Sequence, residues 1–220
     1  MALTDQVDVY CERTDFTFWS EPLNAFSNIA FLIAAAFCIR DYRRQQAVDF
    51  FAPFLIGFLI MTAIGSFLFH TFATRWAGLI DIVPIGLMIF TYHFAIMRRI
   101  AELSYLKALL SIALIPVLQA VMESLLPEVL GATKAYAFVP VLFCIYAIIY
   151  YKRQRAGEFY LLIAIATFVA SLSMRFLDDE ICNTLPSGLH YYWHILNALT
   201  LYLVFKAYCI NLPPRKLKKI

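Results

Sequence analysis

The chain has 220 residues, of which 62% are hydrophobic and only 15% charged, with a mean hydropathy of +0.73. Soluble domains are roughly a quarter charged and about half apolar, so this composition excludes a soluble protein and indicates an integral membrane one. The net charge of +3 is no nucleic-acid footprint, because the basic residues sit in short runs between apolar segments: RDYRR, MRRI, YKRQR and RKLKK.

Met1 is followed by polar, acidic text, TDQVDVYCERTD. It lacks the basic start and apolar run of a cleaved signal, so the first span is expected to serve as its own signal. A helix needs about 20 apolar residues to cross the hydrocarbon core. By that measure the chain reads as seven spans, at 22–39, 50–72, 77–97, 105–126, 135–151, 159–177 and 189–210. The loops are short and no repeat or low-complexity tract separates them, so residues 1–220 form one domain, an all-α seven-transmembrane helical bundle. Arg40, Arg43, Arg44, Arg98, Arg99, Lys107, Lys152, Arg153 and Arg155 fall in alternate loops, on the side of Arg215, Lys216, Lys218 and Lys219. The opposite side carries Arg75, Lys134 and an acidic excess: Glu128, Asp178, Asp179, Glu180 and the N-terminal acids. Lysine and arginine stay in the cytoplasm, which puts the C-terminus inside and the N-terminus outside or in a lumen.

Ionisable groups within apolar spans are candidates for function. The stretch GSFLFHTFATRWAGLIDIVP, residues 65–84, carries Ser66, His70 and Asp81. Ser66 and His70 share a helix face at the outer end of the second span, and Asp81 lies in the first turns of the third. HYYWH, residues 190–194, opens the seventh span. His190 and His194 lie on one helix face, about 6 Å apart at their β-carbons. Histidines at helix ends also snorkel to the headgroups, so the pair alone leaves both readings open. The topology brings His70, Asp81, His190 and His194 to one depth. Three imidazoles and an open position make a hydrolytic zinc site, in which the metal lowers the pKa of its water towards about 7. His93 lies twelve residues beyond Asp81 on the same helix, about 18 Å away, and reads as packing or as an interfacial residue.

Four stretches, YCER with SEPLNAFSN (10–28), SFLFHTFATRWAGLID (66–81), RFLDDEIC (175–182) and HYYWH (190–194), resemble the alkaline ceramidase family. These are seven-span zinc hydrolases related to the adiponectin and progestin receptors. The resemblance runs over nearly the whole chain. It implies zinc on His70, His190 and His194, Asp81 as the general base that passes its proton to the leaving amine, and Ser66 orienting the water or stabilising the oxyanion. A hydroxyl bonded back to its own helix is the plainer role for Ser66. The implied reaction cleaves the amide of ceramide or a related N-acyl membrane lipid to a fatty acid and a long-chain amine. Rival readings are a hydrolase of another acyl lipid and a non-catalytic lipid-sensing receptor with structural zinc. A transporter is disfavoured, since no Gly-rich broken helix pair interrupts the spans.

The resemblance also implies a calcium site at the N-terminus, with Glu12 and Glu21 at acidic positions and Asp8 or Asp15 able to join by a shift in register. Val9 and Thr14 stand where an acid and an amide are expected, and a solvated acidic segment is the alternative. Cys11 and Cys182 match cysteines that pair, which implies a disulfide on the non-cytoplasmic side. Arg175 and Asp178, one turn apart, would form an ion pair or meet a substrate headgroup; the family usually has an aromatic in place of Arg175, which implies a different headgroup. The ending KLKKI resembles a dilysine retrieval signal, although positive-inside charge produces such strings. A bacterial inner membrane is the favoured location, with an endomembrane (ER or Golgi) as the alternative. Nothing in the sequence sets the oligomeric state.

Overall fold

The computed structural model describes residues 2–214, and the KLKKI ending lies outside them. Helices α1 (Pro22–Ser27) and α2 (Ile29–Gln45) together make a 24-residue apolar rod. Next come α3 (Phe51–Phe72) and α4 (Arg75–Arg99), the second and third rods, then α5 (Tyr105–Ile112) and α6 (Leu114–Leu125), which together form a fourth, Tyr105–Leu125. A 3-10 stretch, Glu128–Tyr136, bends by 42° into α7 (Phe138–Lys152). The chain then runs through α8 (Glu158–Glu180) and α9 (His190–Cys209). There is no strand among the described residues, only isolated bridges between Gln6 and Thr74 and between Ala47 and Pro214.

Five helical segments are long and apolar enough to cross a membrane, and six if the bent pair counts as one. Where the seventh span is expected the chain forms α9, 20 residues long, which does not reach the apolarity of the others. His190, His194, Asn197 and Lys206 all lie on it. The helices also run past the expected span limits into their basic ends: α2 keeps Arg43 and Arg44 and α4 keeps Arg98 and Arg99 in their last turns, where cations suit the helix dipole. Leu109, Leu110, Leu114 and Val117 are more than half exposed, an apolar surface that only lipid or another protein would cover. The chain is a membrane protein.

The end of the bundle away from the histidines is held by a buried polar group. Asp49 accepts the N–H groups of Phe51 and Ala52 at the start of α3, the hydroxyl of Tyr208 at 2.9 Å and the guanidinium of Arg99 at 3.0 Å. His93 is buried between the Tyr146 hydroxyl (2.9 Å) and Ser111 (3.0 Å), in the packing role its depth implies.

At the other end, α3 and α4 make the closest helix contact of the site region. Pro84 sits inside α4 and has no N–H for the carbonyl of Ile80 four residues back. That carbonyl faces Gly65 of α3 so closely that a β-carbon there would run into the Ile80 carbonyl and the Asp81 backbone. Gly65 therefore sets how near Asp81 comes to the neighbouring Ser66 and to His70. Gly65→Ala is expected to push the helices apart at a cost of about 1–3 kcal/mol, read as a lower thermal midpoint in detergent. Gly57→Ala on the same helix, where nothing lies within 4 Å of an added carbon, should be neutral or stabilising.

Candidate metal centre

The N-terminal segment closes the outer end of the bundle. Val7 and Arg75 donate backbone N–H groups to the carbonyls of Ala73 and Asp5 (2.8 and 3.1 Å), laying residues 2–10 over the turn between α3 and α4. A disulfide between Cys11 and Cys182 then fixes this segment to the loop before α9. Asp178 is buried at the same junction. Its Oδ1 accepts the N–H groups of Leu189 (2.5 Å) and His190 (2.9 Å), and its Oδ2 accepts that of Cys11 (3.2 Å). The first two are otherwise unpaired donors at the start of α9, and a carboxylate suits the positive end of the helix dipole. Gly188 adopts φ +60°, and a β-carbon there would meet Asp178 and Cys11. Asp178 thus positions HYYWH. The structure has no Arg175–Asp178 ion pair, and the Asp178 oxygens accept from backbone instead.

His70 from α3 and His190 and His194 from α9 are all buried, and their ligand atoms lie within 4.8 Å of one another. The hydrogen bonds around them fix where the ring protons are. His70 Nδ1 lies 2.6 Å from Glu21 Oε2, so Nδ1 carries a proton and, in the neutral ring, Nε2 has a bare lone pair. Ser27 donates its hydroxyl to the Asn24 carbonyl (2.9 Å), so its oxygen accepts from His194 Nδ1 at 2.7 Å, and His194 Nε2 is bare as well. These two Nε2 atoms face each other at 3.2 Å. Ligands about 2.0–2.1 Å from a tetrahedral zinc stand roughly 3.3–3.4 Å apart. A proton could bridge two nitrogens, but His190 makes a third ring converging on the same point, and its buried Nδ1 has no partner. The donor set fits a metal ion held by three imidazoles.

Around this centre are residues the sequence left unassigned. Arg13 is buried and fully engaged. It donates Nε to Glu21 Oε1 (2.5 Å), Nη1 to the Asp15 carbonyl (2.9 Å) and Nη2 to the His70 carbonyl (2.9 Å). Burial raises the pKa of Glu21, but His70 and Arg13 outweigh it and hold the carboxyl below its ordinary value. Tyr10 stacks on the His190 ring at 3.7 Å, and burial pushes its hydroxyl up to about 12, so it stays protonated. Asp81 and Ser66 border the cavity beside His190 and His194, and Ser66 Oγ is 3.4 Å from His194 Nε2.

The glutamate side chains expected to hold calcium are engaged with other groups. A calcium ion takes six to eight oxygens. Glu12 instead accepts the N–H groups of Leu23 and Asn24 (2.7 and 2.8 Å), Asp8 is exposed, and the cation beside Glu21 is the guanidinium of Arg13. Glu21 acts on His70, as the carboxylate that orients a histidine ligand. Arg13→Gln leaves Glu21 buried without its cation and should cost about 3–5 kcal/mol, seen as a lower thermal midpoint. Added calcium should leave the wild-type midpoint unchanged.

A cavity of about 520 Å³ opens beneath the histidines. Its outer part is bordered by Tyr10, Asp81 and Arg175, and its depth by Leu55, Leu59, Met88, Leu142 and Val204. That is the size and apolar character of a pocket for one organic ligand. No curated protein matches the chain. The family model described as Ceramidase matches residues 4–212, and with a match of that extent the chain belongs to the ceramidase family, amidases that hydrolyse the N-acyl amide bond of ceramide.

Proposed function

We propose that the protein is a zinc-dependent amidohydrolase that cleaves ceramide or a related N-acyl lipid from within the bilayer. The observation that carries this reading is the convergence of three buried imidazoles, two with bare Nε2 atoms 3.2 Å apart, at the head of an apolar cavity. When bound there, zinc supplies Lewis acidity and brings the pKa of a coordinated water towards neutrality.

The chain's own residues do the rest. The cavity holds the acyl chain, so the amide carbonyl lies between the histidines and Asp81. Asp81 takes the proton of the attacking water as the new C–O bond forms. It then returns that proton to the amide nitrogen as the C–N bond breaks, releasing fatty acid and amine. Ser66 donates its hydroxyl to the oxyanion that develops on the carbonyl oxygen. Glu21 and Ser27 hold the His70 and His194 rings with Nε2 inward, and Tyr10 covers His190 against water. In the same reading residues 1–220 form one domain, α9 is the seventh span, and the alternating Lys and Arg runs place the histidine end outside or in a lumen.

Metal analysis of the purified protein should return about one zinc per chain. The double variant His190→Ala, His194→Ala should lose it; a wild type without zinc contradicts the reading. Asp81→Asn should keep the zinc while fatty-acid release falls by about 10²–10⁴-fold, measured on a panel of ceramides.

A further inference from the structure

The two inward-facing arginines at the outer end of the bundle differ in one respect. Arg13 has a carboxylate and two carbonyls for its guanidinium. Arg175, on α8, lines the cavity and makes a single hydrogen bond among the described residues, from Nη1 to the Tyr10 hydroxyl at 3.1 Å. No carboxylate of the described residues lies within 4 Å of it. Asp178, one turn away, is committed to the start of α9. Asp81 feels its charge but stands beyond ion-pair range. The group is instead boxed by aromatic rings, with its central carbon 5.1 Å from Trp193, 5.5 Å from Tyr136 and 5.6 Å from Tyr10. A guanidinium has five N–H donors in a planar fork that matches carboxylate and phosphate-like oxygens, and most of this fork is left for whatever enters the cavity.

The charge of the cavity points the same way. Its charged border residues are Arg75, Asp81 and Arg175, and Arg75 has Asp5 nearby at 3.8 Å. That leaves one arginine against one aspartate. Ligating histidines are neutral, so a dication on them makes the inner wall positive. Resting on the reading of the site as a zinc amidase, we propose that the preferred substrate is an N-acyl lipid with an anionic headgroup, whose carboxylate, sulfonate or phosphate is held by Arg175. The anion belongs on the amine side of the scissile bond. Arg175 lies in the outer turns of α8 with Tyr10 over it, whereas the acyl chain takes the apolar depth around Leu59, Met88 and Val204. Tyr10, which carries the Arg175 hydrogen bond and stacks on His190, links headgroup capture to the metal ligand.

The test compares hydrolysis of matched pairs: ceramide 1-phosphate against ceramide, and N-palmitoylglycine against N-palmitoylethanolamine. Wild type should favour the anionic member of at least one pair by about tenfold or more in kcat/KM, the scale of one charge-assisted hydrogen bond. The pair that shows it tells phosphate from carboxylate. Arg175→Gln should bring that ratio to within about threefold while zinc content is unchanged, and Arg175→Lys should restore part of it. Equal or better hydrolysis of both neutral members by wild type overturns the proposal without recourse to any variant. So does an Arg175→Gln enzyme that keeps the anionic preference. If Arg175→Gln weakens inhibition by palmitate and leaves the pair ratios alone, the arginine holds the released fatty acid and the proposal is wrong. A wild type that hydrolyses none of the four lipids, or holds no zinc, fails the amidase reading itself.

Discussion

Two lone pairs that point at each other across 3.2 Å are the constraint on which this architecture depends. Neutral imidazoles do not hold that geometry unaided, because lone-pair repulsion is strongest where water is excluded and the local dielectric is low. The fold enforces it from behind. Glu21 claims the outer proton of His70 and Ser27 that of His194, so neither ring can turn its N–H inward to relieve the contact. Glu21 is itself fixed by Arg13 and by the amide of Asn24 at 3.0 Å. A cation at the centre would make this arrangement favourable.

The remaining structure delivers those rings. The α3–α4 approach at Gly65 brings Asp81 beside Ser66, and the release of the Ile80 carbonyl by Pro84 lies at the same contact. On the other side, Asp178 gathers the first N–H groups of α9 and that of Cys11, next to the Cys11–Cys182 disulfide. The N-terminal segment thus serves as lid and as part of the metal centre, supplying Tyr10, Arg13 and Glu21. This explains how a short polar segment outside the spans can bear on chemistry at the head of the bundle.

The apolar runs and the triad were legible in the sequence because each rests on local information. A span announces itself by composition, and HYYWH by helical spacing. His70 and Asp81 followed from counting helix directions. Less was legible where meaning comes from contacts between distant residues. Glu21 and Glu12 read as calcium ligands because they match acidic positions of the family. Nothing in that segment says that one will meet a ring 49 residues on and the other cap α1. Arg13 drew no reading from the sequence, although it is the cation paired with Glu21. Asp178 offered Arg175 as its obvious partner at one-turn spacing, but three backbone donors exposed by the start of α9 and by Cys11 outcompete an ion pair across the turn. α9 marks the same limit for composition, since the polar residues that make it functional also lower the apolarity by which a span is recognised.

The central claim is that the three histidines surround a metal with an open position, and X-ray absorption at the zinc edge of the purified protein tests it most directly. The account predicts three imidazole nitrogens and one further oxygen at about 2.0–2.1 Å, with no sulfur. A sphere closed by four protein ligands, a sulfur at about 2.3 Å, or no zinc signal would contradict it.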